Sequence, residues 1–331
     1  MATETRAATA ELSSSLPISI TIPVIDISGY IASDPNETKR VAAAIRSAAI
    51  SPGFFQVTGH PITLDLRERL LASIKSFYAL PRDVKSRLHR NNSDCLRGYE
   101  SVGDQQLEPG FQDAKEGFMI GQELEGDNLR FAQGSNQWPS EDECPGFRQV
   151  YMEYFEAMRL FSRTMFRIVA LSLGLNEKYF DDFAYGRDTV TMCRAHRYPP
   201  TTPEMAAKSR GIGAHTDFGA LTLLLQDDIG GLEVFHRPTQ TWHPVHPVKD
   251  AYVVNIGDIM ERWTNDKYTS TLHRVISPVS DRDRYSIAFF NEGLLDQIIE
   301  CIPTCLDEGK EPKYKPVKVE EHLKMRYGNS Y

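Results

Sequence analysis

The segment "GIGAHTDFGALTLLLQDDIGGLEVF", Gly211 to Phe235, places His215 and Asp217 two residues apart in an apolar, strand-like stretch with glycines on both flanks. Residues i and i+2 of a strand face the same side. The spacing therefore aims an imidazole and a carboxylate into one space, and that pair suits a first-row divalent metal. A third ligand is expected among the remaining histidines and carboxylates. His273, in "STLHRVISP", is the best placed of these. It lies on another β-rich stretch 56 residues beyond Asp217, and the intervening strands can fold it back. Arg284-Tyr285-Ser286 begins 11 residues after His273 and puts a guanidinium and a hydroxyl on one strand face. A guanidinium fork beside a hydroxyl is a carboxylate clamp. Tyr198 in "HRYPP" supplies a further hydroxyl.

Two histidines and one carboxylate leave about three positions of an octahedral metal open, as non-haem Fe(II) oxygenases require. An open metal with a remote carboxylate anchor fits 2-oxoglutarate: its keto-acid end chelates the metal and its far carboxylate reaches the arginine. Taken singly, Arg284 also fits a surface ion pair and Tyr198 simple packing before Pro199. The offset of Arg284 from His273 favours the clamp. His60, His89, His236, His243, His246 and His322 read as hydrogen-bonded structural residues. The H-x-x-H of "WHPVHP" lies among prolines at an expected strand edge and is not expected to bind metal.

These residues need a frame. "IPVIDIS" and "GFFQVTGH" read as strands. "ETKRVAAAIRSAAIS" and "TLDLRERLLASIKSFYALP" read as helices, the second opened by Thr63. Residues 90–145 are punctuated by Gly, Pro, Asn and Asp, with "KEGFMIG" as a short strand. So long a stretch is expected to form a cover or to contact substrate. Gly146 to Leu175 is a long scaffold helix, with Val150, Tyr154, Met158, Phe161, Met165 and Ile168 at helical spacing. After Tyr185 come "TVTMCRAHRYPP", "ALTLLLQ", "GLEVFH", "AYVVNIGD", "TLHRVISP" and "RYSIAFF", a succession of short strands that argues for a sandwich or barrel buttressed by helices.

The 331 residues carry a formal net charge of −8, with 41% hydrophobic residues. The core can be large without a staple, and the acidic balance argues against a nucleic-acid partner. The five scattered cysteines include no C-x-x-C and read as free thiols of a reducing compartment. No segment approaches a membrane span and the first residues lack a signal-peptide pattern, so the default expectation is a cytoplasmic protein. Residues 1–20 are expected to be disordered.

With these motifs together, the chain resembles the Fe(II)/2-oxoglutarate-dependent dioxygenases of the isopenicillin N synthase-like group. The likeness rests on H-x-D as His215-Thr216-Asp217, the distal His273 and R-x-S as Arg284-Tyr285-Ser286. It extends to "NIGDIMERWTNDKYTSTLHRV", "IPVIDIS" and "GFFQVTGH". The resemblance implies a mainly β fold with flanking α-helices around a double-stranded β-helix, or jelly-roll, core. One dioxygenase domain is then expected over residues 21–331: a helical and mixed region over 21–185, the jelly roll over 186–295 and a C-terminal segment over 296–331. It implies Fe(II), 2-oxoglutarate and O2 as cofactors, and oxidation of a C–H bond with release of succinate and CO2.

Among relatives, the chain is similar to the fungal-type enzymes near thymine 7-hydroxylase and to secondary-metabolite oxygenases. His196 stands where the family has an asparagine two residues before the tyrosine. Thr191 stands where the thymine enzymes carry an asparagine, which argues against thymine as substrate. Arg194, His196, Phe218 and Phe290 are the candidate contacts to a small, partly apolar substrate, although each also fits a core role. Two alternatives stay open: an Fe(II) oxidase of the same fold that does not use 2-oxoglutarate, and a jelly-roll binding protein without catalysis.

Overall fold

The computed structural model describes residues 20–328. The disorder expected over residues 1–20 therefore lies outside the described residues, apart from Ile20, which packs against an inner apolar cluster. The N-terminal half begins with β1 (Val24–Asp26), α1 (Pro35–Ile50), β2 (Phe54–Thr58) and α2 (Leu64–Tyr78). The Asp34 side chain accepts from the first amides of α1, with proline opening that helix, and Thr63 caps α2 through Leu66 N. Then come β3 (Gly98–Glu100), β4 (Gln112–Asp113), β5 (Glu116–Gly121) and the long α3 (Phe147–Ser172). The expected strand "KEGFMIG" is β5. The region 90–145 is thus no detached cover, because its strands extend the edges of both sheets.

The β-rich half comprises β6 (Thr189–Tyr198), β7 (Ser209–His215), β8 (Leu221–Gln226), β9 (Leu232–His236) and β10 (Thr241–Pro244). It continues with β11 (Tyr252–Ile256), the short α4 (Asp258–Trp263), β12 (His273–Ile276) and β13 (Arg284–Leu294). Helix α5 (Val319–Gly328) ends the described chain. All six expected strand runs form strands. Two sheets make the jelly roll, one of eight strands ordered β1-β2-β11-β8-β13-β6-β5-β3 and one of five ordered β10-β9-β12-β7-β4. Strand β10, which carries "WHP", is an edge, and His243 there is held by the Thr241 hydroxyl at 2.7 Å. No helix among the described residues is long and apolar enough to cross a membrane.

Strand alternation divides the interior. On the larger sheet, Cys193, Ala195, Leu221, Leu223, Ile287 and Phe289 join the core under the helices. Their neighbours His196, Tyr198, Thr222, Leu224, Ser286 and Ala288 line the space between the sheets. Both faces of these strands are covered, so they read as nearly continuous apolar runs. Helix α3 presses its apolar stripe, including Tyr154, Phe155, Met158 and Phe161, onto the outer face. Each such side chain contributes roughly 1.5–3 kcal/mol on burial. Tyr151 ties α3 to β6, its hydroxyl accepting from Ala195 N at 3.0 Å.

Strand β13 departs from regularity at one point that matters to the site. Its register against β6 shifts between Asn291 and Gly293, leaving Glu292 as the extra residue of a bulge. Gly293 has φ +91°, and a Cβ there would lie 1.9 Å from the Phe183 ring. Gly293→Ala is therefore expected to destabilise the fold by roughly 3 kcal/mol, combining backbone strain with overpacking. Urea unfolding of the purified variant measures this, and a shift within about 0.5 kcal/mol of wild type would contradict it.

Candidate active site

The three proposed ligands converge. Strands β7 and β12 are antiparallel neighbours, and their register sets His215 directly opposite His273. The two rings lie 4.3 Å apart between centroids. Asp217 arrives differently from the strand alternation expected for it. Strand β7 ends at His215 and Asp217 sits in the following turn. That turn is pinned by the start of α4, where Asp258 N donates to Asp217 O at 2.9 Å and Ile259 N to Gly219 O at 3.0 Å. Gly257 permits the approach, since a Cβ there would come within 2.3 Å of Gly219 O. The result is Asp217 Oδ1 at 3.6 Å from Nε2 of both histidines.

The outer contacts fix which atoms face inward. His215 Nδ1 lies 2.8 Å from Gly213 O, and His273 Nδ1 3.0 Å from Thr271 O. A carbonyl only accepts, so each Nδ1 carries the proton and each Nε2 keeps its lone pair. Asn255 Nδ2 donates to Asp217 Oδ2 at 2.7 Å, leaving Oδ1 for the shared centre. The potential ligand atoms of the triad all lie within 4.8 Å of one another. Two neutral imidazoles and a carboxylate, oriented this way, fit a ferrous ion.

A cavity runs from the triad between the sheets to Arg284, Ser286 and Tyr198. Arg284 has no exposed surface. Its Nε donates to the Gly230 carbonyl and its Nη2 to Gln226 Oε1 at 3.1 Å, while the guanidinium stacks on Tyr198 4.7 Å from the ring centroid. Its Nη1 has no hydrogen-bond partner. Beside it, the hydroxyls of Tyr198 and Ser286 lie 3.3 Å apart. A buried cation with an unsatisfied N–H next to two hydroxyls suits a carboxylate.

A second cavity opens from the other side of the triad, lined by Arg194, Phe218, Phe290 and Glu292 together with Gln105 and Tyr327. All four candidate substrate contacts line this space; His196 and Phe290 line the first cavity as well. Arg194 is already engaged: it pairs with Glu100, and its Nη2 reaches Gln105 Oε1 at 3.3 Å. Glu100 also meets Arg90 and Lys115 behind this wall.

Residues 189–293 match the 2OG-Fe(II) oxygenase superfamily, and residues 22–141 match the non-haem dioxygenase in morphine synthesis N-terminal family. A 2-oxoglutarate-Fe(II) type oxidoreductase of Emericella nidulans, hxnY, is 40% identical over 317 residues, covering 93% of this chain and 90% of that protein. The 2-oxoglutarate-dependent dioxygenase citB of Monascus ruber is 40% identical over 94% of this chain and 95% of its own. The chain belongs to the 2-oxoglutarate–Fe(II) oxygenase superfamily. The full-length thymine 7-hydroxylase of Neurospora crassa, in complex with α-ketoglutarate and thymine, shares its fold, with TM-score 0.84 and 29% identity over 93% of this chain and 96% of that one. The protein is accordingly an Fe(II)- and 2-oxoglutarate-dependent dioxygenase with a jelly-roll core.

The site's electrostatics follow from its packing. Burial acts to raise the Asp217 pKa, but the two histidines and the Asn255 hydrogen bond hold this carboxyl well below its usual range. Burial and the neighbouring His215 push His273 down to about 4. Burial also opposes charge on His215, yet its contact with Asp217 outweighs this and raises it.

Several residues of this oxygenase's site have no role in the sequence reading, among them Asn255, Glu292, Arg326 and Tyr327. Asn255 carried a usable signal, being one polar side chain facing inward on the apolar β11. Glu292 did not, because its orientation depends on the β13 bulge. Arg326 and Tyr327 depend on α5 folding back over the metal loop. There Arg326 donates to Thr216 Oγ1 at 3.1 Å and stacks on Phe218, and Tyr327 donates to Glu292 Oε1 at 3.0 Å. His322, read as structural, lies 3.0 Å from the Phe218 carbonyl in the same clasp.

Asn255→Ala frees one oxygen of Asp217, and metal affinity is expected to fall by roughly 10- to 100-fold. Competition with a chelator measures it, and unchanged affinity would refute the orienting role. Glu292 supplies a pH prediction. Burial, opposed by Tyr327 and reinforced by Asp217 and Asp258, raises its pKa from 4.5 to about 8. Between those values the native carboxyl keeps a proton that the unfolded chain has released. The unfolded state then binds fewer protons, so stability falls as pH rises. In metal-free protein, Glu292→Gln should show a smaller stability loss than wild type from pH 5 to pH 8, read by thermal unfolding.

Proposed function

We propose that His215, Asp217 and His273 hold Fe(II), and that Arg284, Ser286 and Tyr198 hold 2-oxoglutarate by its far carboxylate. The substrate is a small organic molecule of the secondary-metabolite kind, seated in the second cavity against Phe218, Phe290 and Arg194. One observation carries this reading: two cavities meet at the triad, and the far end of one is a buried arginine with an unsatisfied Nη1. Fe(II) and 2-oxoglutarate, with O2, supply oxidative decarboxylation to succinate and CO2 and oxidation of a substrate C–H bond.

The chain's own residues do the remaining work. The carbonyls of Gly213 and Thr271 hold the imidazoles in the ligating tautomer. Asp217 supplies one negative charge, so the site stays net positive towards a dianionic cosubstrate. Gln226 and the Gly230 carbonyl hold the Arg284 fork, so little side-chain entropy is lost when a carboxylate docks. Leu107, Met119, Ile212, Phe218 and Phe290 give the substrate cavity apolar walls that limit water. The net outcome is hydroxylation, or desaturation or ring rearrangement where the substrate is shaped for it. The orphaned Nη1 of Arg284 speaks against an oxidase that omits 2-oxoglutarate. The complete, oriented donor set speaks against a binding protein without catalysis.

Screening small organic molecules for succinate release tests the reading. Turnover should require both Fe(II) and 2-oxoglutarate, and His215→Ala and Asp217→Ala should abolish it with the fold intact. Arg284→Ala should raise the apparent KM for 2-oxoglutarate at least roughly 30-fold, the effect of truncating a buried charged contact. Substrate oxidation undiminished without 2-oxoglutarate would overturn the assignment.

A further inference from the structure

Two carboxyls line the second cavity: Asp217 belongs to the triad, and Glu292 has no chemical role yet. Along β13, Ser286, Ala288, Phe290 and Glu292 turn inward, while Asn291 faces the helices and bonds Ser162 Oγ at 3.0 Å. Ala220 N donates to Asn291 O at 3.1 Å, which fastens the bulge to the turn that carries Asp217. Gly219 in that turn leaves the space that Glu292 Oε2 occupies, because a Cβ there would lie 2.5 Å from it. Glu292 is 2% exposed. Its Oε1 accepts from the Tyr327 hydroxyl at 3.0 Å, and its Oε2 has no hydrogen-bond partner. The charges that act on it are those of Asp217 and Asp258, both negative. A buried carboxyl in such company keeps its proton. With Oε1 engaged as acceptor, Oε2 carries the O–H. The cavity wall therefore holds a buried donor without an acceptor, and such a group calls for a ligand.

The donor also narrows the ligand. An ammonium has no lone pair to receive the proton. A carboxylate would add a negative charge beside Asp217 and Asp258, and Arg194, the cation of this cavity, already pairs with Glu100. An uncharged carbonyl oxygen accepts the hydrogen bond without either cost. Phe218 and Phe290 on the same cavity offer apolar surface to the rest of the molecule.

We propose that Glu292 is a specificity-determining residue: as a neutral acid it donates its Oε2 hydrogen to an uncharged carbonyl oxygen of the substrate, and so selects small apolar molecules that carry a ketone, aldehyde, ester or amide. This rests on the assignment of the second cavity to the substrate and names the substrate's polar group.

The test loads full-length protein with Fe(II) and 2-oxoglutarate under anaerobic conditions and titrates it with molecules of similar shape. These are acetophenone, its isostere α-methylstyrene with C=CH2 in place of C=O, 1-phenylethylamine and benzoate. Perturbation of the weak visible charge-transfer band reports binding beside the metal. If no band forms before a titrant is added, the metal and cosubstrate reading fails, and this proposal falls with it. If the band forms but acetophenone binds no more tightly than any of the other three, this proposal alone falls. Wild type is expected to bind acetophenone roughly 5- to 50-fold more tightly than α-methylstyrene. Glu292→Gln keeps an N–H donor and is expected to hold that ratio to within about threefold. Glu292→Met removes the donor and is expected to bring the ratio to about one. Glu292→Ala serves as the donor-free variant where Glu292→Met does not fold. An unchanged ratio in the donor-free variant would overturn the proposal. A preference lost as fully in Glu292→Gln as in the donor-free variant would also overturn it.

Discussion

The antiparallel pairing of β7 with β12 is the constraint on which the site depends. It places His215 and His273 opposite each other across adjacent strands, and no loop has to hold them there. Adjacent paired strands hold a fixed spacing, so the distance between the two imidazoles is set by the sheet. Asp217 is the adjustable member. It lies just past the end of β7, and its position is set from outside the strand by α4 and by Asn255. A paired set of imidazoles with a pinned carboxylate keeps the three donor atoms converged on one point.

The same economy of partners shapes the other end of the cavity. Arg284 is fully buried, and a buried cation is stable only with its hydrogen bonds met. Two of its three nitrogens donate to the Gly230 carbonyl and to Gln226, and Nη1 has no partner. The fold tolerates that deficit because stacking on Tyr198 and the neighbouring hydroxyls reduce it. A ligand carboxylate removes it. Arg284 Nη1, both ring nitrogens of His196 and Glu292 Oε2, all lining the two cavities, are among the buried polar atoms without a partner. The helix-facing side of the same strands is mostly apolar core.

Helix α5 links the chain terminus to the chemistry. Arg326, Tyr327 and His322 contact Thr216, Glu292 and the Phe218 carbonyl, so one helix touches both the turn that carries Asp217 and a wall of the second cavity. These contacts are mostly polar, and α5 has only a few buried apolar residues. The geometry of the metal turn is therefore coupled to the seating of a modestly anchored helix.

Much of this was legible in the amino-acid order. The six strand runs, the long α3 and the Thr63 cap are local features: period, turn chemistry and side-chain hydrogen bonds act within a few residues. The H-x-D, distal histidine and R-x-S spacing named the ligand types. Spacing alone gave the wrong local reason for Asp217, because a strand's end is decided by its neighbours. The roles of Asn255, Glu292, Arg326 and Tyr327 needed contacts between segments tens to more than a hundred residues apart. Which polar atoms are left unpaired is likewise a property of the packed interior. Residue order determines chemistry and local conformation; only tertiary burial decides which groups lose water without gaining a protein partner, and those groups point to the ligands.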